Sequence, residues 1–443
     1  MSPHRLRVVE LFAGVGGFRL GLEGVTIPTG KAFDVVWSNQ WEPSTRLQHA
    51  SNIYVERFGA HNHSNDDIAT VPASELPAHE VMVGGFPCQD YSVARTLNQS
   101  EGLKGKKGVL WWEIHRLLSE LGDDRPKYLI LENVERLIKS PAAQRGRDFA
   151  VMLASLLDLG YMVEWRVLNA ADYGMPQRRK RVFIVAYLSS TQIADFANAS
   201  VESDWLERFG VVGNAFPGSA TPSAASWFPL EGDLADITDR FNSGSKKTPF
   251  NNAGLARWYG QKRIVTTMNV DPQYSGRYSS LGDVLVDEDD VAYEYFIDAS
   301  EIEKWRYLKG AKSVKRVSKE TRHEYCYQEG NMAFPDDLEK PSRTIVTGEG
   351  GRTPSRFKHV VRVPSGRFRR LTPIELERLN MFPDNHTHGA SDAKRAFFMG
   401  NALVVGVVSG LGQSLSAHHR GDVQRLHVTP AVAQEPLFHP FNS

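Results

Sequence analysis

The first 190 residues alternate short apolar runs, suited to β-strands, with segments whose apolar residues recur at helical spacing. The helical segments include 111-WWEIHRLLSEL-121 and 148-DFAVMLASLLDLG-160. This alternation favours an α/β fold with a doubly wound, mostly parallel sheet, whose ligands bind outside the carboxyl ends of the strands. The predicted strands are residues 7–12, 33–38, 80–86, 127–134, 162–169 and 181–188.

The length and a change of composition predict more than one domain. A chain of 443 residues exceeds the roughly 150 residues of a typical domain, and after residue 189 the sequence becomes rich in Ala, Ser, Gly and Pro. Residues 396–415 read as a strand or turn leading into a buried helix. We therefore predict a first domain (1–189), a smaller loop-rich domain (190–389), a C-terminal segment that returns to the first domain (390–425) and a tail (426–443).

Composition predicts the cellular setting. Two cysteines cannot form a disulfide framework, which favours a reducing, cytoplasmic location. No apolar run approaches the roughly 20 residues of a membrane helix, and the N-terminus lacks a signal peptide's apolar region. Because acidic and basic residues are equal in number, a polyanionic partner would have to meet local positive charge, such as the basic run 304–322.

The first predicted strand runs into 10-ELFAGVGGFRLGLE-23, where glycines permit a sharp turn and a close approach of the backbone to a ligand. The third glycine of a dinucleotide fingerprint would fall on Arg19, so a NAD-binding oxidoreductase is disfavoured. Later strands end in 37-WSNQWE-42 and 65-NDDIAT-70, positions that reach ribose and adenine in nucleoside-binding α/β folds. Each of these residues taken alone would be an ordinary surface or core residue.

Three further strand ends carry reactive groups. Cys88 lies in 84-GGFPCQDYS-92, Glu132 in 132-ENVE-135, and two arginines in 176-PQRRKRVFIV-185. A thiolate is a nucleophile, and a strand-end carboxylic acid suits proton donation inside a pocket. Alone, each is more typical of an inert cysteine, a solvated acid or a solvated charge run. Together at neighbouring strand ends, they could share one cleft.

These segments resemble the ordered motif set of the DNA cytosine-5 methyltransferases of the prokaryotic restriction–modification type. FAGVGGF resembles the cofactor loop, GGFPCQDYS the nucleophile loop, ENVE the glutamate motif and PQRRKRVFIVA the arginine motif. RRLTPIELERLNMFPD (369–384) and FFMGNALVVGVV (397–408) resemble the last two motifs. The resemblance covers about the first 190 and the last 80 residues.

The resemblance implies the S-adenosylmethionine-dependent methyltransferase fold and methyl transfer to C5 of a flipped-out cytosine, with S-adenosylhomocysteine as product. Cys88 would attack C6, and Glu132 would contact N3 and stabilise the developing charge. Arg181, with Arg179, would hold O2 of the cytosine and support the loop that bears the thiolate. No metal is implied.

The resemblance also assigns cofactor contacts, with two departures from the family pattern. Gln40 stands where the family usually has the glutamate that binds both ribose hydroxyls. Its neutral amide can accept from one hydroxyl, so binding should persist but weaken, and Glu42 could also compensate. Ala402 replaces a frequent serine. The residues expected to bind S-adenosylmethionine are Phe12, Gly14, Val15, Gly16, Gly17, Gln40, Trp41, Asp67, Ile68, Gly85, Pro87, Leu110, Asn401, Ala402 and Leu403.

Double-stranded DNA is the expected partner. Residues 89–108 would form the loop that closes over the flipped base, and 341–359 resembles the end of a target-recognition region in the second domain. For each single arginine, a basic loop without base contact is an equally good interpretation. The residues expected to bind DNA are Gln89, Ser92, Lys106, Arg343, Arg352, Arg356 and Lys358.

We therefore predict a monomeric, cytoplasmic, nucleoid-associated modification enzyme, with a cognate restriction endonuclease acting separately on the same site and no membrane partner. A tRNA cytosine-5 methyltransferase on the same scaffold is one alternative, which the long variable region of about 150 residues disfavours. A catalytically silent DNA-binding homologue is another, which the presence of Cys88 and Glu132 disfavours. The recognised DNA sequence does not follow from the residues.

Overall fold

The computed structural model describes residues 5–43, 45–86, 110–317 and 323–423. Its strands are β1 (Leu6–Leu11), β2 (Thr26–Ile27), β3 (Gly30–Lys31), β4 (Phe33–Asn39), β5 (His63–Ser64), β6 (Val81–Gly85), β7 (Tyr128–Val134), β8 (Tyr161–Asn169), β9 (Lys180–Leu188), β10 (Gly218–Pro229), β11 (Ala253–Tyr259), β12 (Lys262–Pro272), β13 (Lys312–Val317), β14 (Glu324–Glu329), β15 (Val360–Arg362) and β16 (Phe368–Arg370). Its helices are α1 (Gly17–Glu23), α2 (His49–Phe58), α3 (Leu110–Glu120), α4 (Arg147–Asp158), α5 (Gln192–Ala199), α6 (Glu202–Asp204), α7 (Val211–Ala215), α8 (Leu234–Arg240), α9 (Ile302–Lys309), α10 (Pro373–Leu379), α11 (Asp392–Asn401) and α12 (Val405–His419).

A ten-stranded sheet in the order β10-β12-β11-β8-β9-β7-β6-β1-β4-β5 organises the molecule. In the spatial order of the sheet, the neighbours β5, β4, β1, β6 and β7 are mutually parallel. The remaining neighbours, β7, β9, β8, β11, β12 and β10, pair antiparallel. The predicted α/β class is confirmed, and all six predicted strands are present, as β1, β4, β6, β7, β8 and β9. Parallel pairing is confined to one half of the sheet.

The parallel half is buried because its strands read as almost continuous apolar runs. Helix α4 buries ten consecutive residues, from Asp148 to Leu157, and α3 buries Trp111, Ile114, Leu117 and Leu118. These side chains join those of β1, β6 and β7 in one hydrophobic cluster. The core therefore fixes the ends of the strands that carry the predicted site.

The chain divides into two compact units. The first holds the described residues within Met1–Tyr173, Lys180–Arg277 and Val405–Ser443, and the second those within Gly174–Arg179 and Tyr278–Val404. This division differs from the predicted boundaries at 189/190 and 389/390. Residues 190–277 contribute β10, β11 and β12 to the large sheet, because β11 pairs with β8.

The C-terminal helix α12 returns to the first unit and packs on α1. A Cβ placed on Gly21 would lie 2.6 Å from Cβ of Val408, and the Ser409 hydroxyl donates to the Gly21 carbonyl at 3.1 Å. The expectation of a strand or turn near 396 was wrong, since α11 covers that segment. In the described part of the chain, no single helix is long and apolar enough to cross a membrane; α11 and α12 meet that test only as a bent pair.

The second unit is organised around buried polar contacts. Gln177 is fully buried, donates to Oδ1 of Asn380 at 2.8 Å and accepts from the backbone N–H of Ile345 at 3.0 Å. Arg369 and Glu375, both fully buried, form an ion pair at 2.6 Å. Because Gln177 is bonded to Asn380 and Ile345, the short segment 174–179 is held within this unit.

Candidate active site

The parallel half of the sheet brings five predicted segments to one edge. Strands β5, β4, β1, β6 and β7 are neighbours and point the same way, so their carboxyl ends lie along the same edge. The residues that follow these ends include Phe12, Gln40, Asp67 and Phe86, and Glu132 lies near the carboxyl end of β7.

The glycine loop after β1 bends through left-handed backbone conformations. Gly14 and Gly16 have φ values of 57° and 88°. A Cβ on Gly16 would lie 2.2 Å from the Phe58 ring, so only glycine fits there without displacing that ring. A Cβ on Gly14 would meet nothing within 4 Å, so the loop leaves open space at that position.

Gln40 holds this loop from the neighbouring strand. Its side-chain carbonyl accepts a hydrogen bond from the Gly14 N–H at 2.7 Å, and the Ala13 N–H bonds to the Asn39 carbonyl at 2.9 Å. Glu42, the residue that could compensate for Gln40, is bonded to helix α2, and its role toward the ribose stays a prediction. Its carboxylate accepts from the Ala50 N–H at 3.0 Å and therefore caps helix α2.

The segment after β5 places Asp67 on a turn that helix α3 fixes, and the side chain of the next residue, Ile68, is buried in the core. Asp67 accepts from the Ala69 N–H at 3.1 Å and so caps the turn. Arg116 of α3 donates to the carbonyls of Ile68 and Val71 at 2.9 and 3.0 Å. Sequence reasoning missed Arg116, because an arginine on an amphipathic helix gives no sign of its tertiary partner. The exposed ring of Trp41, 37% accessible, follows the end of β4.

A buried carboxyl group lies on β1, just before the glycine loop. Glu10 of β1 is fully buried, accepts from the Tyr54 hydroxyl at 2.9 Å and from the Arg19 N–H at 3.3 Å. Burial raises the pKa of Glu10 to about 7, because desolvation disfavours its charged form more than these donors favour it. The acid within the apolar run RVVELF was the signal that sequence analysis overlooked.

The nucleophile loop lies beyond the end of β6. Pro87, Cys88, Gln89, Ser92 and Lys106 lie outside the described residues.

The described residue before that loop, Phe86, is fixed by two contacts. Asn133 donates to its carbonyl at 2.8 Å, and its ring lies 5.7 Å from the Trp111 ring, centroid to centroid. The buried Asn133 of the ENVE motif therefore anchors the strand end from which the predicted nucleophile follows.

Glu132 and Arg181 form an ion pair beside this strand end. Nε of Arg181 lies 2.8 Å from Oε1 of Glu132, and the two side chains are 17% and 12% exposed. The antiparallel register of β7 and β9 sets Arg181 opposite Val134, two residues from Glu132 and therefore on the same face. A Cβ on Gly85 would lie 3.3 Å from Oε2 of Glu132, so glycine leaves room for this carboxylate. The pair can offer a carboxyl group and a cation to a planar polar ligand.

Arg179 has a different environment from Arg181. It belongs to the second unit, is 2% exposed, and donates to the carbonyls of Ile345 and Gly400 at 3.3 and 2.9 Å. These contacts make Arg179 a positioning residue for the segment that precedes Asn401. Asn401 ends helix α11, and Ala402 and Leu403 follow in the same unit.

Three of the residues expected to bind DNA are bonded within the protein. Arg343 pairs with Asp336 at 2.6 Å, Arg356 pairs with Glu329 at 2.9 Å, and Lys358, 5% exposed, donates to two backbone carbonyls. In this structure the donors of these three side chains are bonded within the protein, and their role in DNA binding stays a prediction. Arg352 is 73% exposed and lies 2.6 Å from Glu294.

Comparisons with known proteins identify the family of the chain. The sequence profile of the family described as C-5 cytosine-specific DNA methylase matches residues 6–417. The chain is 45% identical to the Type II methyltransferase M.Sau3AI of Staphylococcus aureus over 416 residues, which are 93% of this chain and 96% of that protein. It is 34% identical over 181 residues, 41% of the chain and 50% of the relative, to the Type II methyltransferase M.NgoBI of Neisseria gonorrhoeae.

A solved structure supports the fold. The crystal structure of the S. pombe Dnmt2 methyltransferase superposes with a TM-score of 0.56 at 17% identity, covering 94% of this chain and 99% of that one. At this identity the likeness shows the architecture alone.

Proposed function

Because the chain belongs to the C-5 cytosine-specific DNA methylase family, we propose that it methylates C5 of a cytosine flipped out of duplex DNA through a covalent Cys88 adduct. We further propose that it is the type II modification enzyme of a restriction–modification system, as the relationship to a Type II methyltransferase along nearly its whole length supports.

The described cofactor residues fit S-adenosylmethionine. The open space at Gly14 admits a ligand against the backbone of the glycine loop, and the accessible ring of Trp41 and the turn at Asp67 follow the next strand ends. The glycine loop would contact the cofactor through its backbone, Trp41 would pack on the adenine, and Asp67 with Ile68 would bind the adenine edge. When bound, S-adenosylmethionine supplies the electrophilic methyl group that C5 accepts.

The chain's own residues would make C5 nucleophilic. Addition of the Cys88 thiolate to C6 forms the carbon–sulfur bond and turns the C4–C5 unit into an enamine-like nucleophile. Glu132 would contact N3 and stabilise the charge that develops there, while Arg181 would hold O2 and orient the Glu132 carboxylate through their ion pair. Loss of the C5 proton and departure of the Cys88 thiolate then restore the aromatic ring.

The observation that carries the proposal is the Glu132–Arg181 pair beside the strand end that Asn133 fixes. Bisulfite sequencing of DNA from cells expressing the chain tests it, and we expect protected cytosines at one fixed sequence. Cys88→Ala and Glu132→Gln should each abolish or strongly reduce turnover while duplex binding persists. Glu135→Gln is the matched control, since Glu135 pairs with Lys139 and lies outside the ion pair. Normal methylation by Cys88→Ala would refute the covalent mechanism.

A direct comparison of the two nucleic acids distinguishes a duplex DNA substrate from a tRNA substrate. Methyl transfer from radiolabelled S-adenosylmethionine should reach duplex DNA and leave tRNA unlabelled in parallel reactions. Labelling confined to tRNA would favour the alternative reaction on the same scaffold.

A further inference from the structure

The hairpin of β13 and β14 in the second unit presents one fully exposed face. Its register pairs Ser313 with Gln328, Lys315 with Cys326, and Val317 with Glu324. Because side chains alternate across a strand, these six residues lie on the same side. All six are exposed. We call this set the ribbon face.

The ribbon face carries varied hydrogen-bonding chemistry on an element of suitable shape. Within the described residues, β13 and β14 form a sheet of two strands only. A two-stranded antiparallel ribbon fits the major groove of B-form DNA, where each base pair shows its own pattern of donors and acceptors. The face offers an ammonium group, a hydroxyl, an amide, a carboxylate and the methyl groups of Val317, which is 57% exposed. Lysine suits guanine, glutamine suits adenine, and glutamate accepts from the cytosine amino group.

Lysines of β13 and of the preceding helix α9 are available for phosphates. Among the described residues, Lys304, Lys312 and Lys315 form no ion pair, in contrast to the buried Lys309, which lies 3.7 Å from Asp336. Nζ of Lys312 lies 4.6 Å from the ring centroid of Tyr307, a residue 71% exposed. Lysines without an acidic partner, such as the half-buried Lys312 beside an exposed aromatic ring, are groups able to approach a nucleic-acid backbone.

We infer that the ribbon face reads base edges in the major groove of the target duplex, with Lys304 and Lys312 contacting the flanking phosphates. The inference rests on the proposed function, and it makes the hairpin the element that selects the site. It differs from the expectation for Arg343, Arg356 and Lys358, whose donors are bonded within the protein.

Substitutions separate base reading from phosphate binding. Once bisulfite sequencing has given the target, Lys315→Ala and Gln328→Ala should each lower the ratio of kcat/KM for target over altered duplexes by about 10- to 100-fold. Lys304→Ala should weaken all duplexes alike and reduce the salt dependence of binding by about one phosphate contact. Lys262→Ala is the matched control, because Lys262 is an exposed lysine at the turn of another hairpin, β11–β12. It should leave the ratio unchanged.

The rate of alkylation of Cys326 measures whether DNA covers the ribbon face, and this measurement needs no substitution. It is exposed, and its Sγ lies 3.0 Å from Oγ of Ser313. Alkylation by iodoacetamide should slow at least tenfold with saturating target duplex. An altered duplex of equal length at equal occupancy should protect it less. Peptide mass spectrometry distinguishes Cys326 from Cys88.

The outcomes distinguish the inference from the proposed function. If the wild-type chain methylates a fixed sequence but the target duplex leaves Cys326 alkylation unchanged, the ribbon face is not the reader. The same conclusion follows if Lys315→Ala weakens every duplex equally. If no cytosine becomes methylated, the proposed function itself fails. Circular dichroism and binding of S-adenosylhomocysteine confirm that each variant is folded, and the alkylation result on the wild type stands without them.

Discussion

At the scale of single residues, Gln40 holds the glycine loop and is the proposed contact to the ribose of the cofactor. Its carbonyl oxygen already accepts from the Gly14 N–H, so a ribose hydroxyl would meet its amide nitrogen. Gln40→Glu should keep the bond to Gly14 with one oxygen and offer the second to the ribose. A charged acceptor roughly doubles the strength of a hydrogen bond, so affinity for S-adenosylhomocysteine should rise about three- to tenfold. Isothermal titration calorimetry measures it.

The controls for this prediction use the same loop. Gln40→Ala removes the acceptor of the Gly14 N–H and should weaken binding. Glu42→Gln alters only the cap of α2 and should leave affinity unchanged while lowering stability slightly. An unchanged or lower affinity for Gln40→Glu would mean that the second oxygen does not reach the ribose.

Glu10 should make stability depend on pH. Its pKa is raised by burial from 4.5 to about 7, so the unfolded chain loses this proton first as the pH rises. The free energy of unfolding should therefore fall between about pH 4.5 and pH 7, by about 3 kcal/mol from this group. Glu10→Gln should reduce the dependence of the free energy of unfolding on pH by the contribution of about one proton. Urea titrations at several pH values measure this dependence.

Glu164 is the matched comparison for Glu10. It too is fully buried, accepts from the Val212 N–H at 2.9 Å, and has its pKa raised to about 7 by burial. Glu164→Gln should leave the contribution of Glu10 in place, and the double variant should be flatter than either. A slope that Glu10→Gln does not alter would show that this carboxyl titrates normally.

Residue identity predicted chemistry better than it predicted partners. The acid at 132 and the arginine at 181 were expected to share a cleft, and the structure pairs them. Arg343 and Arg356 were expected to bind DNA, and in the structure they pair with Asp336 and Glu329. A basic side chain reads the same in sequence whether its partner is DNA or an acid elsewhere in the chain.

At the scale of elements, the loop between β1 and α1 allows a paired test. Alanine at Gly14 or Gly16 would carry similar strain of about 1 kcal/mol, because both have positive φ. Gly16→Ala also collides with Phe58 and should destabilise the fold by about 2–4 kcal/mol. Gly14→Ala should lower the free energy of unfolding by little more than the backbone strain. It should also lower cofactor affinity, since its methyl group enters the open space. Thermal unfolding and calorimetry separate the two effects, and equal losses of stability would contradict this account.

Elements were predictable where burial dominates their sequence. The strands β1, β6 and β7 are nearly continuous apolar runs because both faces are covered. Strand β10, with the sequence GSATPSAASWFP, lies at the sheet edge and exposes much of its length. Its pairing with β12 is a tertiary contact, so neither the periodicity of the segment nor its strand propensity predicted it.

At the scale of the whole molecule, composition failed to locate the division of the chain. The change near residue 190 is real, but residues 253–256 of β11 pair with β8 and thereby keep the segment in the first unit. The return of the C-terminal segment was expected from 390 and begins at Val405. Pairing across about 90 residues of sequence is set by the shapes of packed surfaces, which local composition does not encode.

The contact between α12 and α1 predicts where the chain can be shortened. Gly412 packs so closely that a Cβ there would lie 2.8 Å from Leu22, and the buried residues of α12 include Val407, Val408, Leu411 and Leu415. A chain ending at 423 keeps these contacts and should unfold cooperatively. A chain ending at 404 exposes α1 and should lose cooperative unfolding of the first unit, with the loss of cofactor binding as a second readout. Full stability of the shorter chain would show that α1 and the glycine loop are held without α12.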